Sequence, residues 1–388
     1  MTSVELPEPG RSAAPMMAYG IGAISQIPCI VQELGATRVL LVCGRTSFEA
    51  SGAADMLPTL EHHADVRRWS DFQPNTDSAD LQVGLEILRE HQPDLVLGIG
   101  GGSALDMAKL LVSFTAVSPE DVVATIEGGY RATSRPVRLV LAPTTSGSGA
   151  EATHFAVVYV GDDKYSIAGP AMRADAIVLD PALTLSNSSY QRATSGIDAV
   201  AQAIESLWAV GATDRSCRFA RHSLRLSLPA IETFVNRPDE ASARAMSIGS
   251  HLAGRSIDIS KTTAAHALSY GLTKRYGVSH GHAVALTLPE FIRAHGFKSK
   301  SADTTPGLRR AMADIMYCLR SSTFEDAADT FYELCTSIGL VMGRVPELHP
   351  MAIDARTLAQ SVNPERLSNN PVALSSDDLR SILNRSLT

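Results

Sequence analysis

The feature that most constrains the fold is a series of short apolar segments, each followed by a segment with helical periodicity. The clearest apolar segments are 39–43, 94–99 and 137–141, and 66–69 is a weaker one, while the helical pattern is plain over Ser78 to His91. Short runs without polar alternation are typical of strands buried on both faces. Such strands in alternation with helices predict a doubly wound, mostly parallel sheet.

The second half of the chain has a different pattern, and this predicts two domains. A chain of 388 residues exceeds the size at which one hydrophobic core stops growing. We predict an α/β domain over 1–185, with a flexible leader over 1–18, and an all-α domain over 186–388. The predicted helices of the second domain are 188–210, 214–234, 239–256, 262–276, 307–319, 323–339 and 376–386.

Charge, hydropathy and cysteine content exclude several classes of protein. The net charge of −7 and the pI near 5.9 argue against a nucleic-acid partner, which requires a basic surface. No run of 18 apolar residues predicts a membrane span, and the N-terminus lacks the pattern of a signal peptide. Five cysteines without C-x-x-C spacing indicate free thiols in a reducing compartment, so we expect a cytoplasmic protein.

Two glycine- and hydroxyl-rich segments follow predicted strands and suggest a dinucleotide site. Gly100–Ser103 follows the strand that ends at residue 99, and Asp106 and Lys109 lie in the next turns. Glycines admit a phosphate close to the backbone, and the start of a helix offers free N–H groups. A tight turn alone would explain one or two of these glycines. Pro143–Thr153 follows a second strand, so the two segments suggest two walls of one site.

The metal-site candidates come from two helical segments of the second half. His266 and Tyr270 are four residues apart, as are Asp198 and Gln202, so each pair lies on one helix face. His280 begins the following segment. A carboxylate, an amide oxygen and two imidazoles are a plausible set for one divalent cation. The alternative is that the two histidines are ordinary surface or core residues.

The end of the strand at 39–43 bears on the choice of cofactor. An acidic residue at such a position bonds the ribose 2′-hydroxyl of NAD, whereas a neutral or basic site accepts the 2′-phosphate of NADP. Here the strand ends in Gly44-Arg45-Thr46-Ser47, and no carboxylate appears before Glu49. We therefore expect NADPH, with NADH as the alternative, and place Arg45 with Thr46 or Ser47 near the phosphate.

These motifs together resemble a known family. The runs Gly-Gly-Gly-Ser-x-x-Asp-x-x-Lys, Pro-Thr-Thr-x-Gly-Ser-Gly-x-Glu and Asp-Ala-x-x-Gln-Ala-Ile-Glu occur in the order found in the iron-containing (group III) alcohol dehydrogenases. The resemblance extends over residues 19–385. It implies the dehydroquinate-synthase-like fold of that family, an NAD(P)-linked dehydrogenase or reductase activity, and a homodimer. It also implies a divalent metal, Fe²⁺ or Zn²⁺, in a cleft between an α/β dinucleotide domain and a helical domain.

The resemblance also implies roles for individual residues. The positions that would line the cofactor are Gly101, Gly102, Ser103, Thr144, Thr145 and Ser148, with Asn75 and Asp106 nearby and Lys164 at the ribose. The metal positions would be Asp198, Gln202, His266 and His280.

Two departures from the family pattern bear on metal and substrate. Most members have His at the position of Gln202, and often at that of Tyr270 as well. An amide oxygen is a harder and weaker ligand than imidazole, so the identity of the metal is open. The second departure is Lys261-Thr262-Thr263, where members typically have small neutral residues. A lysine beside two hydroxyls suits an anionic group, although a solvated lysine is the alternative.

This segment looks like the phosphonoacetaldehyde reductase branch of the family. The resemblance implies a metal-assisted hydride transfer from NADPH to a small anionic aldehyde, with Lys261 at the anion. The proton would come through water, the cofactor ribose, Tyr270 or His282. Sulfoacetaldehyde or a neutral aldehyde is the alternative substrate. A dehydroquinate-synthase-like cyclase and a non-catalytic cofactor-binding protein are alternatives of other classes.

Overall fold

The structure is a computed structural model that describes residues 14–343, 354–360, 362 and 367–387. These residues form two compact units. The first runs to Thr145 and includes Ala150–Asn187, and the second consists of Ser146–Gly149 and the chain from Ser188 onward. The first unit is α/β and the second is helical, so the predicted fold class is confirmed.

The first unit is built on a six-stranded parallel sheet and a separate antiparallel hairpin. The strands are β1 (Met16–Tyr19), β2 (Arg38–Cys43), β3 (Asp65–Trp69), β4 (Leu95–Gly100), β5 (Arg138–Pro143), β6 (Phe155–Val160), β7 (Asp163–Ala168) and β8 (Ala176–Leu179). The sheet order is β1-β8-β5-β4-β2-β3, and β6 pairs with β7. The helices are α1 (Ile27–Glu33), α2 (Ser47–Ala50), α3 (Leu57–His63), α4 (Ser78–His91), α5 (Gly102–Ser113) and α6 (Val122–Glu127).

Both faces of the sheet are buried, which explains its continuous apolar strands. Successive residues of a strand point to opposite faces. In β2, Leu40 and Val42 belong to one hydrophobic cluster, whereas Val39 and Leu41 belong to another. A strand covered on both sides has no solvent-facing positions, so its sequence shows no alternation.

The strand order also places the glycine-rich segments. From β2 the chain proceeds to β3 at one edge of the sheet, whereas from β4 it proceeds to β5 and then to β8 on the other side. The order in which the chain adds strands therefore reverses between β2 and β4. At this point the amide of Gly44 donates to the carbonyl of Ile99 at 3.2 Å. In open α/β sheets, ligands bind at the carboxyl ends of the strands beside such a point.

Two expectations for the first unit need correction. The predicted leader is not irregular throughout, because Met16–Tyr19 forms β1 and pairs in parallel with β8; residues 1–13 lie outside the described part of the chain. The hairpin and β8 were not predicted either. Each of these strands is only four to six residues long, and pairing supplied by the rest of the sheet decides the structure of β1 and β8.

The second unit follows the predicted helical pattern closely. Its helices are α7 (Ser189–Trp208), α8 (Asp214–Asn236), α9 (Glu240–Ser260), α10 (Ala264–Tyr276), α11 (His280–Ser299), α12 (Pro306–Cys318), α13 (Phe324–Ser337), α14 (Ala355–Gln360) and α15 (Ser376–Ser386). Helices α11 and α14 were not among the predicted helices. Within the described ranges, no helix is long and apolar enough to cross a membrane. All five cysteines are free thiols, as predicted.

The segment Ser146–Gly149 joins the second unit through contacts that require glycine. A Cβ atom on Gly149 would lie 2.5 Å from the Cα atom of Gly254, and a Cβ atom on Gly254 would lie 2.4 Å from the carbonyl oxygen of Gly149. Gly149 also has a φ of 59°, which disfavours other residues. The segment therefore packs against α9 by direct backbone contact.

Candidate functional site

Three predicted metal positions come together in the second unit. Asp198 projects from α7, His266 from the first turn of α10, and His280 is the first residue of α11. The Oδ1 atom of Asp198 lies 3.3 Å from Nε2 of His266 and 3.8 Å from Nε2 of His280. One donor atom from each residue lies within 4.8 Å of the others, a spacing compatible with a single cation.

A glycine brings the third of these residues to the first. The start of α11 packs against α7 so closely that a Cβ atom on Gly281 would lie 2.0 Å from the carbonyl oxygen of Thr194. The same Cβ atom would lie 2.9 Å from Cβ of Asp198. Any side chain at Gly281 would therefore move His280 away from the carboxylate.

The donor set fits a divalent metal ion. Gln202 donates from Nε2 to Oδ2 of Asp198 at 3.0 Å. Its buried Oε1 atom has no hydrogen-bond partner within the described part of the chain, and the same holds for Nε2 of His266. A buried polar atom without a partner is costly, and a cation would satisfy both. Carboxylate and imidazole are ligands that iron and zinc accept, and the amide oxygen is a harder and weaker one.

A buried glutamate that the sequence analysis had not given a role fixes the orientation of His266. Glu205 is fully buried and contacts Nδ1 of His266 with one oxygen. Its other oxygen accepts from the hydroxyl and amide of Thr263, at 2.6 and 3.2 Å, and from the amide of Ala265 at 3.1 Å. Such a carboxylate keeps the proton on Nδ1 and leaves Nε2 as a ligand. Glu205 is seven residues after Asp198, which is the sequence signal that could have identified it.

The electrostatics of this pocket favour positive charge. Burial by itself lowers the pKa of His266, but the carboxylates of Glu205 and Asp198 more than offset this effect and raise that pKa to about 9. The pocket therefore stabilises a cation at Nε2, whether a proton or a metal ion.

The two predicted proton donors have different surroundings. The ring of Tyr270 stacks on that of His280, with centroids 5.8 Å apart and planes inclined by 10°. His282 is buried, with Nε2 2.8 Å from the carbonyl oxygen of Val341 and Nδ1 3.2 Å from the hydroxyl of Tyr190. Both ring nitrogens of His282 therefore have protein partners, whereas Tyr270 lies directly against a predicted metal position.

Lys261 has an unusual backbone conformation. It is exposed and follows the last residue of α9, with φ 61° and ψ 176°. This region is populated almost exclusively by glycine and costs a residue with a side chain about 1–3 kcal/mol. It persists only where surrounding contacts determine it, and such strain is concentrated at functional sites.

Asn369 supplies those contacts. Its Nδ2 group donates to the carbonyl oxygens of Ser260 and Thr262, both at 2.9 Å, and these are the residues on either side of Lys261. Its Oδ1 atom accepts from the amide of Gly211 at 2.9 Å, and its carbonyl accepts from the amide of Val210 at 2.9 Å. Asn369 thus joins the end of α9 to the loop after α7.

Within the first unit, the start of α5 is adjacent to Thr145 of the second predicted cofactor wall. Gly101 is the N-cap of α5, so the free amides of the first turn begin here, and Gly102 and Ser103 follow. A Cβ atom on Gly101 would lie 3.5 Å from Cγ2 of Thr145. Ser103 accepts a hydrogen bond from the amide of Asn75 at 3.0 Å.

Asp106 and Lys109 connect α5 to the hairpin. Asp106 accepts from the amide of Val157 at 3.0 Å and lies 3.7 Å from Nζ of Lys109. Burial raises the pKa of Asp106. Lys109 is fully buried and donates to the carbonyl of Phe155 at 2.7 Å. This pair therefore fixes the hairpin that carries the predicted ribose contact, Lys164.

The remaining predicted cofactor residues are spread over three segments. Thr144 follows β5 and has a buried hydroxyl with no hydrogen-bond partner in the described ranges. Ser148 lies in Ser146–Gly149, which belongs to the second unit. Arg45 forms an exposed ion pair with Asp71, and Thr46 is exposed just before α2.

Comparison with known proteins assigns the family. The model for the iron-containing alcohol dehydrogenases matches residues 14–181, and that for the C-terminal part of the Fe-containing alcohol dehydrogenase family matches residues 192–387. The chain belongs to the iron-containing alcohol dehydrogenase family. It is therefore an oxidoreductase of the alcohol dehydrogenase and aldehyde reductase class, as predicted, and this favours the dehydrogenase over the cyclase hypothesis.

Individual relatives support the assignment. The chain is 32% identical over 308 residues to phosphonoacetaldehyde reductase of Streptomyces viridochromogenes, covering 76% of this chain and 77% of the relative. It is 30% identical over 280 residues to long-chain-alcohol dehydrogenase 1 of Geobacillus thermodenitrificans, covering 71% and 70%. The crystal structure of sulfoacetaldehyde reductase from Bifidobacterium kashiwanohense with NAD⁺ is similar, with a TM-score of 0.86, 25% identity and coverage of 96% and 97%.

Proposed function

We propose that this enzyme is a metal-dependent, NAD(P)H-linked reductase of a small anionic aldehyde. The substrate we propose is phosphonoacetaldehyde, which would give 2-hydroxyethylphosphonate in phosphonate biosynthesis. The observation that carries the proposal is the short segment between α9 and α10, where a strained lysine precedes a predicted metal ligand by five residues. The similarity to a phosphonoacetaldehyde reductase and to a sulfoacetaldehyde reductase supports an anionic substrate. The homodimer and the cytoplasmic location remain predictions.

Asp198, Gln202, His266 and His280 would hold the metal ion. A divalent ion bound there would act as a Lewis acid toward the carbonyl oxygen of the aldehyde. Through its contact with Nδ1, Glu205 keeps Nε2 of His266 available to bind the metal ion. The donor set leaves both Fe²⁺ and Zn²⁺ open, because an amide oxygen replaces an imidazole at position 202.

The protein groups around this set have separate tasks. Tyr270 stacks on His280 and carries a hydroxyl, so it is the better placed of the two predicted proton donors. Lys261 would pair with the phosphonate, since a dianion that leaves water needs a charged partner. The hydride would come from the reduced nicotinamide, while the protein supplies orientation.

For the cofactor we propose NADPH, with NADH as the alternative. The position after β2 is Gly44, so no carboxylate is present where NAD-selective proteins have one. Arg45 is next to it and forms an exposed ion pair with Asp71. A 2′-phosphate would compete with Asp71 for this guanidinium, so the pair provides a way to test the assignment.

The substrate proposal is tested by steady-state kinetics. We expect the highest kcat/KM for phosphonoacetaldehyde, a lower value for sulfoacetaldehyde, and the lowest for a neutral aldehyde of similar size. Loss of a charge-assisted contact is worth about 1.5–3 kcal/mol, so Lys261→Ala should lower kcat/KM for phosphonoacetaldehyde about 10- to 100-fold. Activity on the neutral aldehyde should be nearly unchanged.

A second lysine provides the matched control. Lys274 lies in the last turn of α10, and Lys274→Ala removes the same charge from the other end of the helix that carries His266. It should leave the preference for the anionic substrate unchanged. Equal losses on both aldehydes in Lys261→Ala would contradict the proposed role of Lys261.

The cofactor proposal is tested with a pair of variants. Arg45→Ala should raise the KM for NADPH and spare that for NADH, because only NADPH carries the 2′-phosphate. Asp71→Asn removes the competing carboxylate and should lower the KM for NADPH. If both variants change the two cofactors equally, Arg45 does not bind the phosphate.

A further inference from the structure

We propose that Asn369 is a positioning residue that sets the enzyme's preference for an anionic substrate by holding Lys261 in its strained conformation. This inference rests on the proposed role of Lys261 as the anion-binding residue. Asn369 lies 108 residues from Lys261 along the chain, outside all of the sequence motifs.

Both backbone polar groups of Lys261 and the carbonyls of its two neighbours form hydrogen bonds. Its amide donates to the carbonyl of Ile257 at 2.9 Å, and its own carbonyl accepts from the hydroxyl of Ser260 at 2.9 Å. The carbonyls before and after it both accept from Nδ2 of Asn369. A single amide group therefore holds the carbonyl groups of both neighbours of the residue with positive φ.

Asparagine suits this position because of its mixed hydrogen-bonding capacity. Two carbonyl oxygens need two N–H donors, and the amide of Gly211 needs an acceptor. A primary amide provides both, whereas a carboxylate would place negative charge against two carbonyls and an alanine would provide neither. Without the two donors, the backbone of Lys261 should relax toward an ordinary conformation. Its side chain would then project from the backbone in a different direction.

The same segment is connected to the metal positions. Thr263, two residues after Lys261, donates to Glu205, which contacts Nδ1 of His266. The hydroxyl of Thr263 also accepts from the indole of Trp208 at 2.9 Å. The segment thus has a second anchor at its far end, so loss of Asn369 should displace Lys261 more than His266. This difference predicts an effect on substrate preference and not a general loss of activity.

The experiment measures kcat/KM for phosphonoacetaldehyde and for a neutral aldehyde of similar size in the full-length, metal-loaded enzyme. The variants are Asn369→Ala and Asn369→Asp, each made alone and together with Lys261→Ala. Asn370→Ala is the matched control, because Asn370 bonds His295 and the carbonyl of Val372 and not the residues beside Lys261.

We expect both Asn369 variants to lower kcat/KM for the anionic aldehyde about tenfold, mainly through KM, and to leave kcat/KM for the neutral aldehyde nearly unchanged. Asn370→Ala should leave the ratio of the two values nearly unchanged. In the Lys261→Ala background the same changes should have no further effect on preference, since residues that act through one another are not additive. If Asn369→Ala does not fold, Asn369→Ser, which keeps one donor, is judged by the same criteria.

Two results would overturn the proposal in distinguishable ways. If Lys261→Ala alone leaves the preference for the anion intact, the proposed substrate contact is wrong, and the positioning role falls with it. If Lys261→Ala lowers the preference but Asn369→Ala leaves it intact, or lowers it equally with and without Lys261, only the positioning role is wrong.

Discussion

Two of the buried histidines of the helical unit, His266 and His295, have opposite electrostatic surroundings. His266 lies between Asp198 and Glu205, and these carboxylates raise its pKa to about 9 despite burial. His295 contacts the amide of Asn370 at 3.1 Å and the ring of Trp208 at a centroid distance of 4.5 Å. Burial lowers the pKa of His295 to about 3, since no charged group among the described residues offsets it.

The comparison separates desolvation from the charge of the neighbours. Both residues are buried, so desolvation alone would make both rings neutral. The difference in pKa comes from the neighbours, which are carboxylates at His266 and neutral groups at His295. The first pocket is suited to a cation, and the second serves packing.

The largest expected effect is the loss of metal and turnover when the ring of His266 is removed, compared with removal of the ring of His295. His266→Ala should abolish both bound metal and turnover, because it deletes a donor and leaves two buried carboxylates facing each other. His295→Gln should retain the metal. Metal content by elemental analysis and turnover under saturating cofactor measure the difference, and retained metal in His266→Ala would remove His266 from the site.

The next effect concerns stability at acid pH. Because the folded-state pKa of His295 lies below the ordinary value of 6.5, the unfolded chain binds a proton that the folded chain does not. Stability from the neutral ring is present above pH 6.5 and is lost as the pH falls toward 3. Between pH 6.5 and 4 this amounts to about 3 kcal/mol. Denaturant unfolding of wild type and His295→Gln should show this additional loss only in the wild type.

A smaller effect is expected when the pocket of His266 is made more like that of His295. Glu205→Gln keeps the shape of the side chain but removes its charge. Loss of a carboxylate that orients a metal-binding histidine lowers metal affinity or activity about 10- to 100-fold. Competition with a chelator measures the affinity. An unchanged affinity would show that Glu205 serves only to anchor Thr263.

The smallest effect is expected from a substitution of Gln202. Gln202→His introduces the imidazole found in most of the family and should slow the loss of metal to a chelator, provided that position 202 contacts the metal. His295→Gln, made in parallel, controls for general changes in the helical unit. No change in the rate of metal loss would place Gln202 outside the metal's ligands.

The parts of the fold that could be predicted are those set by local sequence. The helix Ser78–His91 matches its prediction to the residue, because Asp77 caps it and its leucines recur at helical spacing. Met16–Tyr19 could not be predicted in this way. Its hydrogen-bond partners are Ala176–Leu179, about 160 residues further along the chain, and no local pattern records that pairing.

The site shows the same division. Asp198, His266 and His280 could be proposed from spacing and family motifs, and the structure brings them together. The seven-residue spacing places Glu205 on the same helix face as Asp198, but only its burial showed its role, since a glutamate on a helix is usually solvated. Asn369 had no sequence signal, because its role depends on where two carbonyl groups lie in space. Sequence motifs therefore identify residues that bind a ligand more readily than residues that position those binding residues.

The glycine contact between Gly149 and Gly254 has a consequence for engineering chimeric enzymes. Ser146–Gly149 is encoded within the α/β half but packs on α9, so the chain passes between the two units three times and not once. A chimera that exchanges only the residues after Asn187 would pair this segment with a foreign helix. Any side chain at position 254 of that helix would collide with the backbone. A workable exchange therefore carries residues 146–149 together with the helical half.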